Sequence, residues 1–283
     1  MTEVLDAVEV TRRIARSVQT TIGWIFWDPG AVVRYEALGL PGPLGYIASR
    51  SATLASAGPE AVSAAFGSIS PLGIALTFEI LGEPQRFMDA WSARDEAVLE
   101  GLRAFAPKIE APLLEAGDGL WSVVDQLPRV GRVLFGSLLA IPRPTDPLLS
   151  AWHAVNALRE WRGDTHWAIV VANGLTHPEA SILHNAWLGY EADWLARSRG
   201  TSDEDLQAGW ESLTRKGLVR NGVVTEEGVA LRQRIEDQTD ELTTLPWELF
   251  GLERTMDLAT HLEPPCVDLL ARVDLTALSL IHI

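Results

Sequence analysis

Only one of the 283 residues is a cysteine, Cys266, and only two are lysines, Lys108 and Lys216. A lone thiol excludes an internal disulfide framework and any all-cysteine metal site. Arginine supplies the remaining basic residues, and the formal net charge is −15. A field of that sign repels a polyanion, so nucleic-acid binding would need a local basic face strong enough to overcome it. Long apolar runs are also missing. The longest, 22–27 and 133–141, fall far short of the ~20 residues a membrane span needs. The first nine residues are acidic and carry neither the basic start nor the apolar run of a secretory signal, so a cytoplasmic location is expected. What is present is 47% hydrophobic residues and 11 tryptophans, enough for a sizeable core.

Helical spacing of apolar residues dominates, and long alternating strand patterns are nearly absent. Helices are expected over 4–21 and 44–57, separated by the turn Trp27-Asp28-Pro29-Gly30 and the breaker Leu40-Pro41-Gly42-Pro43. Two helix openings, at Pro59-Glu60-Ala61 and Pro178-Glu179-Ala180, lie 119 residues apart. The same offset relates Trp91 to Trp210, Phe87 to Leu206 and Leu99 to Leu218, which points to a degenerate internal duplication. The stretch 141–147, with three prolines, cannot continue a helix and divides the chain. Residues 1–145 read as an N-terminal helical repeat and 146–275 as a second domain. The final residues, 276–283, resemble a translated sequencing adapter and read as a non-native tail. In the second domain, helices are expected over 148–161, 164–173 and 178–190, with Gly174 as a C-terminal cap and another start at Thr201.

The sharpest local pattern runs from Gly209 to Gly228. An amphipathic helix stops at Gly217, Leu218 and Val219 begin a strand, and Asn221-Gly222 makes a two-residue hairpin turn because both positions tolerate positive φ. Val223 and Val224 return, and Thr225 caps a helix expected over 226–242. Helix, hairpin and capped helix in that order form the wing of a winged-helix domain. This stretch, with its leucine, basic pair, Gly-Leu-Val, turn and Thr-Glu-x-Gly, is similar to MarR-type regulators. Over most of 10–265 the chain resembles an actinobacterial family described as helix-turn-helix proteins. The resemblance rests on Tyr46, Arg50, Trp152, Ala154, Leu158-Arg159-Glu160, Arg162-Gly163-Asp164, His166, Gly174-Leu175, Gly217-Leu218, Thr225, Gly228, Glu236, Thr239 and Asp240. Trp161 stands where a histidine is expected in that family. The resemblance agrees with the fold that the wing and the 119-residue offset lead us to expect, mainly α with a small β wing in two winged-helix-like repeats, the first degenerate and helical. It implies function only loosely.

Three functions remain open on these residues. In a small-molecule sensor or binding module, with its pocket between the repeats, Arg50, Arg159, Arg162, Tyr46 and Trp152 would line the ligand. An enzyme acting on a small polar substrate would use His166, oriented by Asp164, as a general base, with the arginines flanking it. That pairing requires Asp164 to sit at a helix start, since residues two apart point about 200° apart within a helix. A competing reading makes Asp164 a simple cap and pairs the arginines with Glu160 and surface acids. A DNA-binding regulator is the third function, but residues 197–234 hold seven basic residues against six acids. That leaves no clear basic patch. The six histidines show no metal-binding spacing, so no metal site is expected. Nothing asks for haem on His166, and the sequence specifies neither a cofactor nor an oligomeric state.

Overall fold

The computed structural model describes residues 5–190 and 193–281, with side chains through 275. The expected non-native tail therefore falls, in its side chains, outside the described residues. The fold is mainly helical with a small β wing, and a two-stranded sheet is the only one among the described residues. The first half contains α1 (Ala7–Gly23), α2 (Pro29–Ala37), α3 (Leu44–Ser51) and α4 (Pro59–Ala65). It continues with α5 (Pro71–Leu81), α6 (Pro84–Phe105), α7 (Glu110–Gln126) and α8 (Val133–Leu138). Helix α2 replaces the turn expected at 27–30. The Asp28 carboxylate accepts the Gly30 N–H at 2.8 Å and Pro29 occupies the first turn, so this segment is a helix start.

Helix α9 (Pro147–Ala172) runs unbroken through the point where two helices were expected. Gly163 keeps ordinary helical geometry, and the Thr165 hydroxyl bonds back to the Trp161 carbonyl at 3.0 Å. A glycine inside a helix costs about 1 kcal/mol, but Glu160, Trp161, Asp164 and Thr165 around it are all buried. Their packing holds the segment helical. The following helices are α10 (His177–Leu188), α11 (Trp194–Ser198) and α12 (Asp203–Arg215). Strands β1 (Val219–Arg220) and β2 (Val223–Val224) pair antiparallel about Asn221 and Gly222, whose φ of 52° and 75° are the positive values the hairpin needs. Thr225 caps α13 (Glu226–Leu242), accepting the Gly228 N–H. Helices α14 (Leu245–Phe250) and α15 (Leu252–Ile281) complete the chain.

Burial sorts these elements into two main bodies. The larger core joins side chains of α1, α6 and α7 to Leu148–Trp161 of α9 and to the stretch from Trp247 to Leu269. The residues 141–146 interrupt the helices but not this core. A second core, from Ile169 to Ile235, belongs to the winged-helix unit. Helix α9 is thus shared, its first half in the helical body and its last turns in the winged-helix unit. Elements also start in parallel across the chain. Helix α6 begins at Pro84 and α12 at Asp203, 119 residues later, but α6 runs on to Phe105 where the second half turns into the wing.

Candidate functional site

A continuous α9 sets which side chains meet. Residues four apart share a helix face, so Trp152, Asn156, Glu160 and Asp164 form one stripe, and Arg162 and His166 form another. The first stripe faces α3, α6 and α8. There Glu160, nearly buried, takes both arms of the Arg50 fork, at 3.2 Å to Nε and 2.9 Å to Nη2. Arg159 adds a bond to the same carboxylate at 2.7 Å. Burial alone would push the Glu160 carboxyl up, but Arg50 and Arg159 outweigh it and hold the group below its ordinary range. Likewise, burial opposes the charge of Arg50, and the Glu160 carboxylate more than restores it. The Tyr46 hydroxyl accepts from Arg50 Nη1 at 3.4 Å, and Arg50 also lies over the Phe66 ring.

These groups border a cleft. Tyr46, Arg50, Trp152 and Arg159, four of the five expected ligand contacts, line it together with Arg94 and Asn156. Phe26 and Trp91 add apolar wall. Arg94 stacks on Trp91 at 3.8 Å and is held by Asp95, which in turn meets His153 at 2.9 Å. Burial depresses the proton affinity of His153, only partly offset by Asp95, so the imidazole is neutral at pH 7. Arg50, Arg94 and Arg159 thus face Glu160 and Asp95, leaving the site about one charge positive within a strongly negative chain. Asn156 is buried and brings a side-chain amide to the cleft wall. The enclosed space is about 20 Å³, room for about one water. Counted with its open mouth, the cleft spans about 390 Å³.

The other three expected site residues lie elsewhere. Asp164 does not cap its own helix. Its carboxylate accepts the Phe135 N–H at 3.0 Å and so caps α8 from across the core. Burial first, and repulsion from Glu160, raise this carboxyl to about 6 despite the backbone donors. Arg162 and His166 face α13. Arg162 bonds Glu236 at 2.5 Å and Asp240 at 2.8 Å, and His166 Nδ1 meets the Thr239 hydroxyl at 3.0 Å. The expected meeting of Asp164 with His166, and their convergence with Arg50 and Arg162, is therefore not found. The unbroken helix sends the two stripes to different neighbours. Arg94 and Asn156 were missed because neither sits in a recognisable motif. Their only sequence signal was a polar residue on an otherwise apolar helix face.

The exposed face of α12, the helix before the wing, carries Asp203, Glu204, Asp205 and Glu211 against Arg215. Lys216, just beyond it, is tied to Glu179 at 2.7 Å. Among the described residues, Arg220 is the exposed basic side chain next to the hairpin turn. Among the described residues no group of three or more histidines, cysteines or carboxylates could hold a metal ion. No described helix is long and apolar enough to cross a membrane.

No curated protein and no solved structure matches the chain. A family description does match, over residues 11–276, almost the whole length. With its hairpin wing, its capped α13 and this match, the chain belongs to a helix-turn-helix family.

Proposed function

We propose that this helix-turn-helix protein is a small-molecule sensor or binding module, MarR-like in its second half, whose ligand enters the cleft between α3 and α9. In this reading α3 and α6 belong to the first repeat and α9 opens the second, so the ligand sits between the two. The observation that carries it is the gathering of Arg50, Arg94, Arg159 and the Asn156 amide around one interior space. Three guanidiniums sharing two carboxylates retain donors for an acceptor on a ligand. The walls of Phe26, Trp91 and Trp152 suit an apolar or flat remainder. The ligand class that fits is a small organic anion. Because the enclosed space holds about one water, entry requires the exposed side of the cleft to open.

Native mass spectrometry of the purified protein should reveal a co-purifying small acid, and calorimetry with that compound should give saturable binding. Arg50→Gln and Arg159→Gln should each weaken it about tenfold or more, the worth of a charge-assisted bond. If nothing co-purifies and no small carboxylate or phosphate raises the melting temperature, the reading fails. The family match favours one rival, a DNA-binding regulator. The acidic α12 face argues against it, and nanomolar, sequence-dependent DNA binding at physiological salt would restore it. An enzyme acting through His166 and Asp164 draws no support from the geometry, since each is engaged with a different partner.

A further inference from the structure

A second cavity lies inside the winged-helix unit, bordered by α9, α10 and α13 and independent of the cleft above. Its polar lining is His166, Ser181, His184, Arg199 and Arg232. Two of its buried atoms, Ser181 Oγ and Arg232 Nη1, have no hydrogen-bond partner. Both residues are more than nine-tenths buried. A buried donor left unmet costs about 1–3 kcal/mol, so two of them on one cavity imply an occupant. Arg232 spends only Nη2, on Glu236 at 2.7 Å. Arg199, in the turn after α11, has no ion pair and no side-chain hydrogen bond among the described residues.

Charge decides what the occupant is. The charged groups around the space are Arg162 of α9, Arg232, Glu236 and Asp240 of α13, and Arg199, with Arg50 and Arg159 further off on the far side of Arg199. Glu236 and Asp240 already bond Arg162, leaving Arg199 and half of Arg232 uncompensated. The histidines are not cationic. Burial and then Arg232 push His166 down to about 4, and the same causes push His184 to about 3. The Thr239 hydroxyl donates to the Ile235 carbonyl at 2.6 Å, so it accepts from His166. The neutral ring therefore carries its proton on Nδ1 and leaves Nε2 bare. A metal would meet the Arg199 guanidinium and the unspent arm of Arg232, and the Glu236 carboxylate nearby is already tied to Arg162 and Arg232. A lone water could bridge Ser181 and Arg232 but would leave Arg199 unmatched.

We propose that this cavity binds one small monovalent anion, a halide or a carboxylate group, held by Arg199, Arg232 Nη1 and the Ser181 hydroxyl. The enclosed space, about 20 Å³, excludes larger anions unless only their carboxylate enters. Burial is the first cause that keeps both histidines neutral, but the bound charge counters the second, the field of Arg232, so binding draws in protons and tightens as pH falls below the ordinary histidine range.

The full chain, exchanged into a HEPES and MES buffer that contains neither halide nor carboxylate, is titrated with chloride, bromide and acetate at constant ionic strength. Imidazole ¹H–¹⁵N spectra and melting temperature are the readouts. Saturable shifts of the His166 and His184 resonances are expected, with binding several-fold tighter at pH 5.5 than at pH 7.5. Arg199→Gln, at a partly exposed position, should keep the fold and lose about tenfold or more in affinity. Ser181→Ala, which removes one donor, should lose less. Halides alone binding identifies a free ion, whereas acetate binding more tightly identifies the carboxylate of an organic ligand. No saturable shift with any of the three, or equal shifts in Arg199→Gln, overturns the proposal. Because Arg199 also faces Tyr46, Arg50 and Arg159 of the α3–α9 cleft, Ser181→Ala separates this cavity from that cleft, and Arg50→Gln tests the cleft.

Discussion

Glu160 carries more of the candidate cleft than any other side chain, because two guanidiniums depend on it. Replacing one partner of a buried ion pair leaves the other charge uncompensated, at about 3–5 kcal/mol. Glu160→Gln keeps the shape but strands Arg50 and Arg159, so urea unfolding at pH 7 should show a loss of that order. A change under about 1 kcal/mol would mean that water already screens the pair. The sign of the pH effect follows from the depressed carboxyl. Its contribution is full above the ordinary glutamate range and fades as pH falls through the lower folded value. Asp164 behaves in the opposite way. Its carboxyl is raised, so ionising it in the folded chain works against stability, and its two backbone acceptor bonds to α8 keep it in place.

Helix α9 separates what local sequence encodes from what packing imposes. At Gly163 a methyl group would meet only the Glu160 carboxylate, at an ordinary 3.6 Å. Gly163→Ala should therefore stabilise the protein by about 0.5–1 kcal/mol through helix propensity, read from the midpoint of chemical denaturation. Destabilisation by that much would restore the turn that Arg162-Gly163-Asp164 suggests in isolation. The wing was legible because each of its signals acts within a few residues. Gly217 and Gly222 take positive φ, Asn221 tolerates it, and Thr225 reaches only three residues ahead. Tyr46, Arg50, Trp152 and Arg159 were legible as a group through the family resemblance. Their arrangement was not, because Arg50 meets Glu160 across 110 residues of chain. The unbroken α9 was hidden for the same reason. Asp164 is a strong capping residue, but the backbone donors it satisfies belong to α8, which no local pattern could reveal.

Across the whole molecule, buried titrating groups make stability depend on pH more steeply than composition suggests. His166 and His184 are pushed from 6.5 to about 4 and about 3. The unfolded chain takes up their protons first, so their contribution is complete above pH 6.5 and drains away as pH falls toward those folded values. Asp164, raised from 3.8 to about 6, holds its proton longer in the folded state. Its effect has the opposite sign, favouring the fold below 3.8 and fading as pH rises through about 6. Near pH 5 the unfolded state therefore binds about two more protons through the histidines and about one fewer through Asp164. The net of about one proton corresponds to a slope of about 1.4 kcal/mol per pH unit. Below about pH 4 the aspartate stops compensating while Glu236, depressed from 4.5 to about 2, begins to draw protons on unfolding. The loss should then steepen. Urea midpoints at pH 7.5, 6, 5 and 4, in buffers free of halide and carboxylate so that no small anion fills the winged-helix cavity, should fall progressively, with His166→Gln flattening the upper part of the curve. A profile that rises as pH falls from 7.5 to 5, as Asp164 alone would give, would show that the two histidines are charged in the folded chain.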